Sequence, residues 1–206
     1  MDRIYSLFLT FSILLSGAQS LHADVVLDNM DSLTNILFSV DGIHDVTRAQ
    51  GFRLDDDTDF SSVTIVGRTT HSNQDFRVQL YSSSAGNPGS VLATLQGETS
   101  PQSWVEETYV APSPVFLTAN TEYFFVFSSI GLQSNYDVFG VTNTSEIGNG
   151  EINNYSHSML GSNPNWGTIN SVIGLRIRGT SVPEPASGIV VAALGTTTLL
   201  RRRRRA

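Results

Sequence analysis

Apolar residues along this chain recur at every second position, not at every third or fourth. From Asp75 to Leu80, Phe76, Val78 and Leu80 share one face while Arg77 and Gln79 take the other. Ile173, Leu175 and Ile177 alternate in the same way with Gly174, Arg176 and Arg178. A period of two is the signature of a strand with one wet face. Glu122 to Ser128 differs, because Tyr123, Phe125 and Phe127 fall on one side and Phe124 and Val126 on the other. That pattern predicts a central strand covered on both faces. Val63–Val66, Val91–Leu95, Trp104–Val110 and Asp137–Thr142 add further β-rich runs. Turn signals separate the runs: Gly86-Asn87-Pro88-Gly89, Pro112-Ser113-Pro114, Gly148-Asn149-Gly150 and Asn163-Pro164-Asn165. Pro88-Gly89 suits the centre of a type II turn. No part of this body carries a capped helical stripe. The pattern therefore predicts an all-β body over residues 24–180, an antiparallel β-sandwich of jelly-roll-like form.

Both ends break the pattern. At the start, Arg3 precedes an apolar run from Ile4 to Leu15, followed by Gly17 and Ala18. This order reads as a secretory signal peptide over residues 1–23. Small-residue cleavage sites lie before Leu21 and before Asp24, and both remain open. At the other end, residues 181–206 fall into three parts. Val182, Pro183, Glu184 and Pro185 come first, then the uncharged segment Ala186–Leu200, then Arg201, Arg202, Arg203, Arg204 and Arg205. Fifteen helical residues reach roughly 22 Å, short of a hydrocarbon core of about 30 Å. A short transmembrane helix is expected there, held with its arginines on the cytoplasmic side and the body outside.

That three-part tail resembles the PEP-CTERM sorting signal of Gram-negative bacteria. The resemblance implies recognition by exosortase, a membrane-embedded protease or transpeptidase that cuts near Pro-Glu-Pro. With the signal peptide, it implies export through the secretory machinery and a transient stay in the inner membrane. The final location would be the cell surface or the exopolysaccharide matrix of a biofilm. The threonine-rich stretch Thr196–Thr198 departs from the usual apolar helix. The body, in turn, resembles the choice-of-anchor domains, most closely type R. Three segments carry this: Val63-Thr64-Ile65; Phe76–Tyr81 running into Gly86–Ala93; and Leu117–Phe124. The resemblance implies a secreted β-domain and brings no catalytic residues.

Composition narrows the chemistry. The chain has 206 residues, no cysteine and no lysine. Disulfides, thiolate catalysis, Schiff-base lysines and P-loop lysines are thereby excluded. Five of the 12 basic residues sit in the terminal cluster. Residues 24–185 hold six arginines against 18 acids, a formal charge of −12. Such a body suits solubility outside the cell and gives no grip on nucleic acid.

Three groups of residues are candidates for binding or catalysis. Asp55, Asp57 and Asp59 alternate as in the first half of a calcium loop, but Phe60 stands where that loop needs Gly and Val66 where it needs Glu. The cluster reads as an acidic turn, with a calcium site completed by distant carboxylates as the alternative. Trp104 and Trp166, with Tyr81, Tyr109, Tyr136 and Tyr155, read as core packing or as a sugar-stacking platform. His44, His71 and His157 show no ligand spacing and read as surface or turn histidines. No Gly-x-Ser-x-Gly elbow occurs. Glu106 and Glu107 are adjacent and so face opposite sides of a strand. The chain thus reads as a non-enzymatic surface or matrix protein, with a carbohydrate-binding module, possessing calcium or not, as the alternative.

Overall fold

The computed structural model of the chain describes residues 23–30, 33–41, 46–69, 75–100, 104–130, 135–141, 147–160, 165–170 and 172–182. The signal-peptide reading before Ala23, the tail from Pro183 onward, His44 and His71 lie outside the described residues.

The described residues contain strands and no α-helix. In chain order these are β1 (Asp24–Asp28), β2 (Leu33–Asp41), β3 (Val46–Leu54), β4 (Thr58–Thr69), β5 (Asp75–Ser84), β6 (Asn87–Thr94) and β7 (Val105–Leu117). They continue with β8 (Glu122–Ile130), β9 (Asn135–Val141), β10 (Ile147–Gly148), β11 (Gly150–Leu160), β12 (Gly167–Ile169), β13 (Val172–Ile173) and β14 (Arg176–Ser181). One sheet runs β10-β1-β14-β4-β9-β13, with β2 added on β9 and β7 on β4. The second runs β12-β11-β3-β8-β5-β6. Every pairing is antiparallel.

The inward faces of the two sheets make one core. Phe52 of β3 stacks on Phe125 of β8 with centroids 4.7 Å apart, and Phe125 meets Phe60 of β4 across the sheets at 5.6 Å. Tyr109 of β7 meets Phe76 of β5 edge-on at 5.8 Å. Aromatic rings bury the most area per residue, so these contacts, one within the second sheet and two between the sheets, contribute strongly to the packing. The alternation read at Phe76, Val78 and Leu80 holds, with all three buried. So does the double coverage of β8: Tyr123, Phe125 and Phe127 enter the main core, while Phe124 and Val126 form a second cluster on the outer face.

Three local expectations need correction. The β5–β6 hairpin turns at Ala85-Gly86, not at Pro88-Gly89. Ser84 pairs with Asn87 across a two-residue loop, and both loop residues have positive φ, 51° and 75°. That is the twist a tight hairpin demands. Pro88 lies within β6, which pairs on one side only with β5, so its missing N–H costs no ladder bond. Pro112-Ser113-Pro114 is likewise no turn but part of β7. Val110 pairs with Ser62 and Val115 with Phe60, so the proline segment bows out opposite Ser61 alone. Finally, Ile173, Leu175 and Ile177 are all buried, but the strand breaks between β13 and β14. There the backbone of Leu175 bonds to Asn29 instead of to a neighbouring strand.

Candidate functional site

The aspartate cluster is a brace between turns. Asp57 accepts a hydrogen bond from the Ala119 amide on Oδ1 at 2.7 Å, and its carbonyl accepts one from the Val182 amide at 2.8 Å. Asp56 accepts from Asn149 Nδ2 at 2.9 Å. Asp55 is exposed, and Asp59 has entered β4, paired with Phe116 and Thr180. These bonds tie the turn to three neighbouring segments at one end of the sandwich. Among the described residues, no group of three or more histidine, aspartate or glutamate side chains stands close enough to hold a metal ion.

The two tryptophans lie apart. Trp104 precedes β7 of the first sheet, and the Arg68 guanidinium covers its ring at 4.5 Å. Such a cation over a ring face is an attractive arrangement that occupies that face. Trp166 precedes β12 of the second sheet and packs with Tyr81 on the outer cluster of Ala49, Phe124 and Val126. The structure therefore gives no common platform for the pair. Of the tyrosines, Tyr109 is buried in the core and donates to the Glu98 carbonyl at 2.8 Å. The side chains of Tyr136 and Tyr155 lie outside those described.

His157 differs from its expected surface place. It lies in β11 at 3% exposure, with its ring edge-on to Phe124 at 5.3 Å and to Trp166 at 6.5 Å. Its register opposite Ala49 puts it on the outer face that Trp166 covers. Burial lowers its pKa, because the charged imidazolium loses solvent, while the charge of Glu122 acts the other way. Burial likewise raises the Tyr81 pKa, opposed by Arg77.

Beside this cluster runs an open groove of about 660 Å³. The β5–β6 hairpin forms one wall with Ser82, Ser84, Asn87 and Ser90, and Asn165 and Trp166 form the other. Among the described residues no ionisable side chain lines it. Gly89 lets the hairpin close here, since a Cβ would stand 3.0 Å from Ser84 Cβ and 3.1 Å from Ser82 Oγ. The Ser90 amide donates to Ser82 Oγ at 3.1 Å, which fixes the two strands of that wall. Glu122, behind the lining residue Ser83, accepts from two neutral donors: Ser83 Oγ at 2.6 Å and Asn153 Nδ2 at 2.8 Å.

Other polar side chains with a structural task carry no pattern in the sequence. Gln50 is buried in β3; its Oε1 accepts from the Ile173 amide at 2.9 Å and its Nε2 donates to the Asn153 carbonyl at 2.9 Å. It thereby links the two sheets. On the first sheet, Arg176 donates to Asp28 at 2.6 Å and to Glu106 at 2.8 Å. Both carboxylates raise its pKa further, the hydrogen bond it donates to Asp28 being the largest cause. Glu107, on the opposite side of β7 from Glu106, has its pKa raised by burial and by Glu98.

In comparisons with known proteins, no family model, curated protein or solved structure matches the chain.

Proposed function

We propose that the protein is an exported, non-enzymatic surface or extracellular-matrix component, delivered through its C-terminal tail. In this reading the signal peptide directs export, and Ala186–Leu200 lodges briefly in the inner membrane. Exosortase then cuts near Val182, Pro183, Glu184 and Pro185, releasing a jelly-roll-like body. One observation carries the reading. Val182, the last described residue, donates its amide to the Asp57 carbonyl, and the next residue in the sequence opens the Pro-Glu-Pro motif. Proline has no N–H with which to extend a ladder. The described strands therefore end at Ser181, before the motif in sequence, and cleavage near Pro-Glu-Pro would leave all of them whole. A second feature agrees. Asp24 pairs with Gly179, so the body meets its two proposed membrane signals at neighbouring points.

The test is intact-mass measurement on protein recovered from the surface or medium of its host. The expected mass lacks Arg201 to Arg205. A mass that retains them overturns the proposal.

A further inference from the structure

We propose that the groove between the β5–β6 hairpin and Trp166 binds a neutral polysaccharide chain. The inference goes beyond the export reading and does not depend on it. Four features of the groove select this ligand class.

The lining offers hydroxyl and amide groups, from Ser84, Asn87, Ser90 and Asn165, beside a single indole. A sugar ring presents the complementary pair: hydroxyls at its rim and an apolar face of C–H groups. An indole stacks on that face, while serine and asparagine side chains both donate and accept at the rim. Among the described residues the lining holds no arginine or histidine to meet an acidic sugar or a phosphate, and the body is strongly acidic. Anionic polymers are thereby disfavoured.

Trp166 is also held in place before any ligand arrives. It packs with Tyr81 on Ala49, Phe124 and Val126, and His157 meets it edge-on at 6.5 Å. A ring fixed by its own surroundings loses little freedom on binding. The covered outer face of β8 thus gains a purpose beyond packing, because it backs the ring that lines the groove. The opposite wall is equally fixed, by the Ala85-Gly86 turn and the Ser82–Ser90 bonds. Finally, the groove is open to solvent rather than enclosed, so a ligand that extends beyond it is not excluded by its walls.

Trp104→Phe in the full chain leaves Trp166 as the sole tryptophan, so its fluorescence reports on the groove. The probes are hexasaccharides of β-1,4-glucan, β-1,3-glucan, α-1,4-glucan and β-1,4-mannan, with oligogalacturonate as the anionic counterpart. Each is titrated to about 10 mM, sufficient for a site of millimolar affinity. Saturable change with at least one neutral probe and none with oligogalacturonate is expected. Because Trp166 also packs on the outer cluster, Asn165→Ala and Ser90→Ala provide variants on either wall that leave that cluster intact. By calorimetry, Trp166→Ala should weaken binding about tenfold or more, and each wall variant should weaken it about threefold. Failure of all four neutral probes, preference for oligogalacturonate, or unchanged binding in both wall variants overturns the proposal. Loss of sorting without loss of sugar binding would bear only on the export reading.

Discussion

Asn29 and Leu175 lie 146 residues apart in the chain and exchange two hydrogen bonds. The Leu175 amide donates to Asn29 Oδ1 at 2.7 Å, and the Asn29 amide donates to the Leu175 carbonyl at 3.1 Å. Asn29 is 1% exposed, and its Nδ2 also reaches the Ile173 carbonyl at 3.4 Å. The side chain stands in for a strand at the break between β13 and β14. Gln50 serves the same stretch from the other sheet, through the Ile173 amide. Two buried amides therefore allow the chain to leave the ladder without stranding its backbone polar groups.

Asn29→Leu should accordingly cost more than its change in polarity suggests. It leaves the buried Leu175 amide without its acceptor, a loss of about 1–3 kcal/mol, and adds strain from a branched side chain. Urea unfolding is the measurement. The midpoint should fall with an unchanged slope, since the surface exposed on unfolding stays the same. A variant as stable as the parent would show that water or a shifted backbone takes over the bond.

Ala85 holds a positive φ of 51° in the hairpin turn. A left-handed conformation costs a residue with a Cβ roughly 1 kcal/mol, and asparagine tolerates it better than alanine. Ala85→Asn should therefore raise stability by about 0.5–1 kcal/mol. Thermal unfolding followed by far-UV circular dichroism checks this, and a lower midpoint would contradict a left-handed Ala85 in the hairpin.

The same turn shows what the sequence conveyed and what it hid. Alternation at Phe76–Leu80 and the two-sided pattern at Tyr123–Phe127 were legible because burial acts on every residue of a strand. The position of the hairpin was not. Asn87-Pro88-Gly89 looks like the stronger turn signal, but strand register decided for Ala85-Gly86. Pro112 and Pro114 misled for a related reason, because a bulge on an outer strand absorbs residues that a central strand would reject. Of the candidate binding residues, Trp166 stood out as an aromatic after a turn. Its separation from Trp104 depends on which sheet each joins, and no local pattern carries that. Ser82, Ser90 and Asn165 are ordinary turn residues until the fold brings them together around the groove. Asn29 and Gln50 were illegible for the same reason, since their partners are more than a hundred residues away.

His157 gives the protein a pH dependence with a definite sign. Burial places its folded pKa below the unfolded value. A depressed pKa contributes stability that is fully present above the unfolded pKa of about 6.5 and is lost as pH falls toward the folded one. The urea midpoint should therefore drop between about pH 7.5 and pH 5.5, above the range where most carboxylates titrate. His157→Gln removes the ionisable ring and should flatten that part of the profile. An unchanged slope would assign the effect to other histidines.

The outer face of β3 offers the sharpest test of how the groove region is held together. A Cβ at Gly51 would collide with the Asn153 amide and stand 2.9 Å from Phe124 Cε1. Phe124 is fully buried beneath Trp166, so it has little room to yield. The Asn153 side chain can move, but doing so breaks its bond to Glu122. Gly51→Ala should therefore destabilise by about 1–3 kcal/mol, the usual cost of an inserted methyl in a packed site. Asn153→Ala alone should also destabilise, because Glu122 then keeps Ser83 but loses the Asn153 donor. The two losses should not add. In Gly51→Ala with Asn153→Ala the new methyl takes the space the amide vacated, and the double variant should be more stable than the sum of the single effects predicts. A coupling of about 0.5 kcal/mol or more in a double-mutant cycle is expected for residues in direct contact. Simple additivity would mean that Phe124, and not Asn153, limits the space above Gly51.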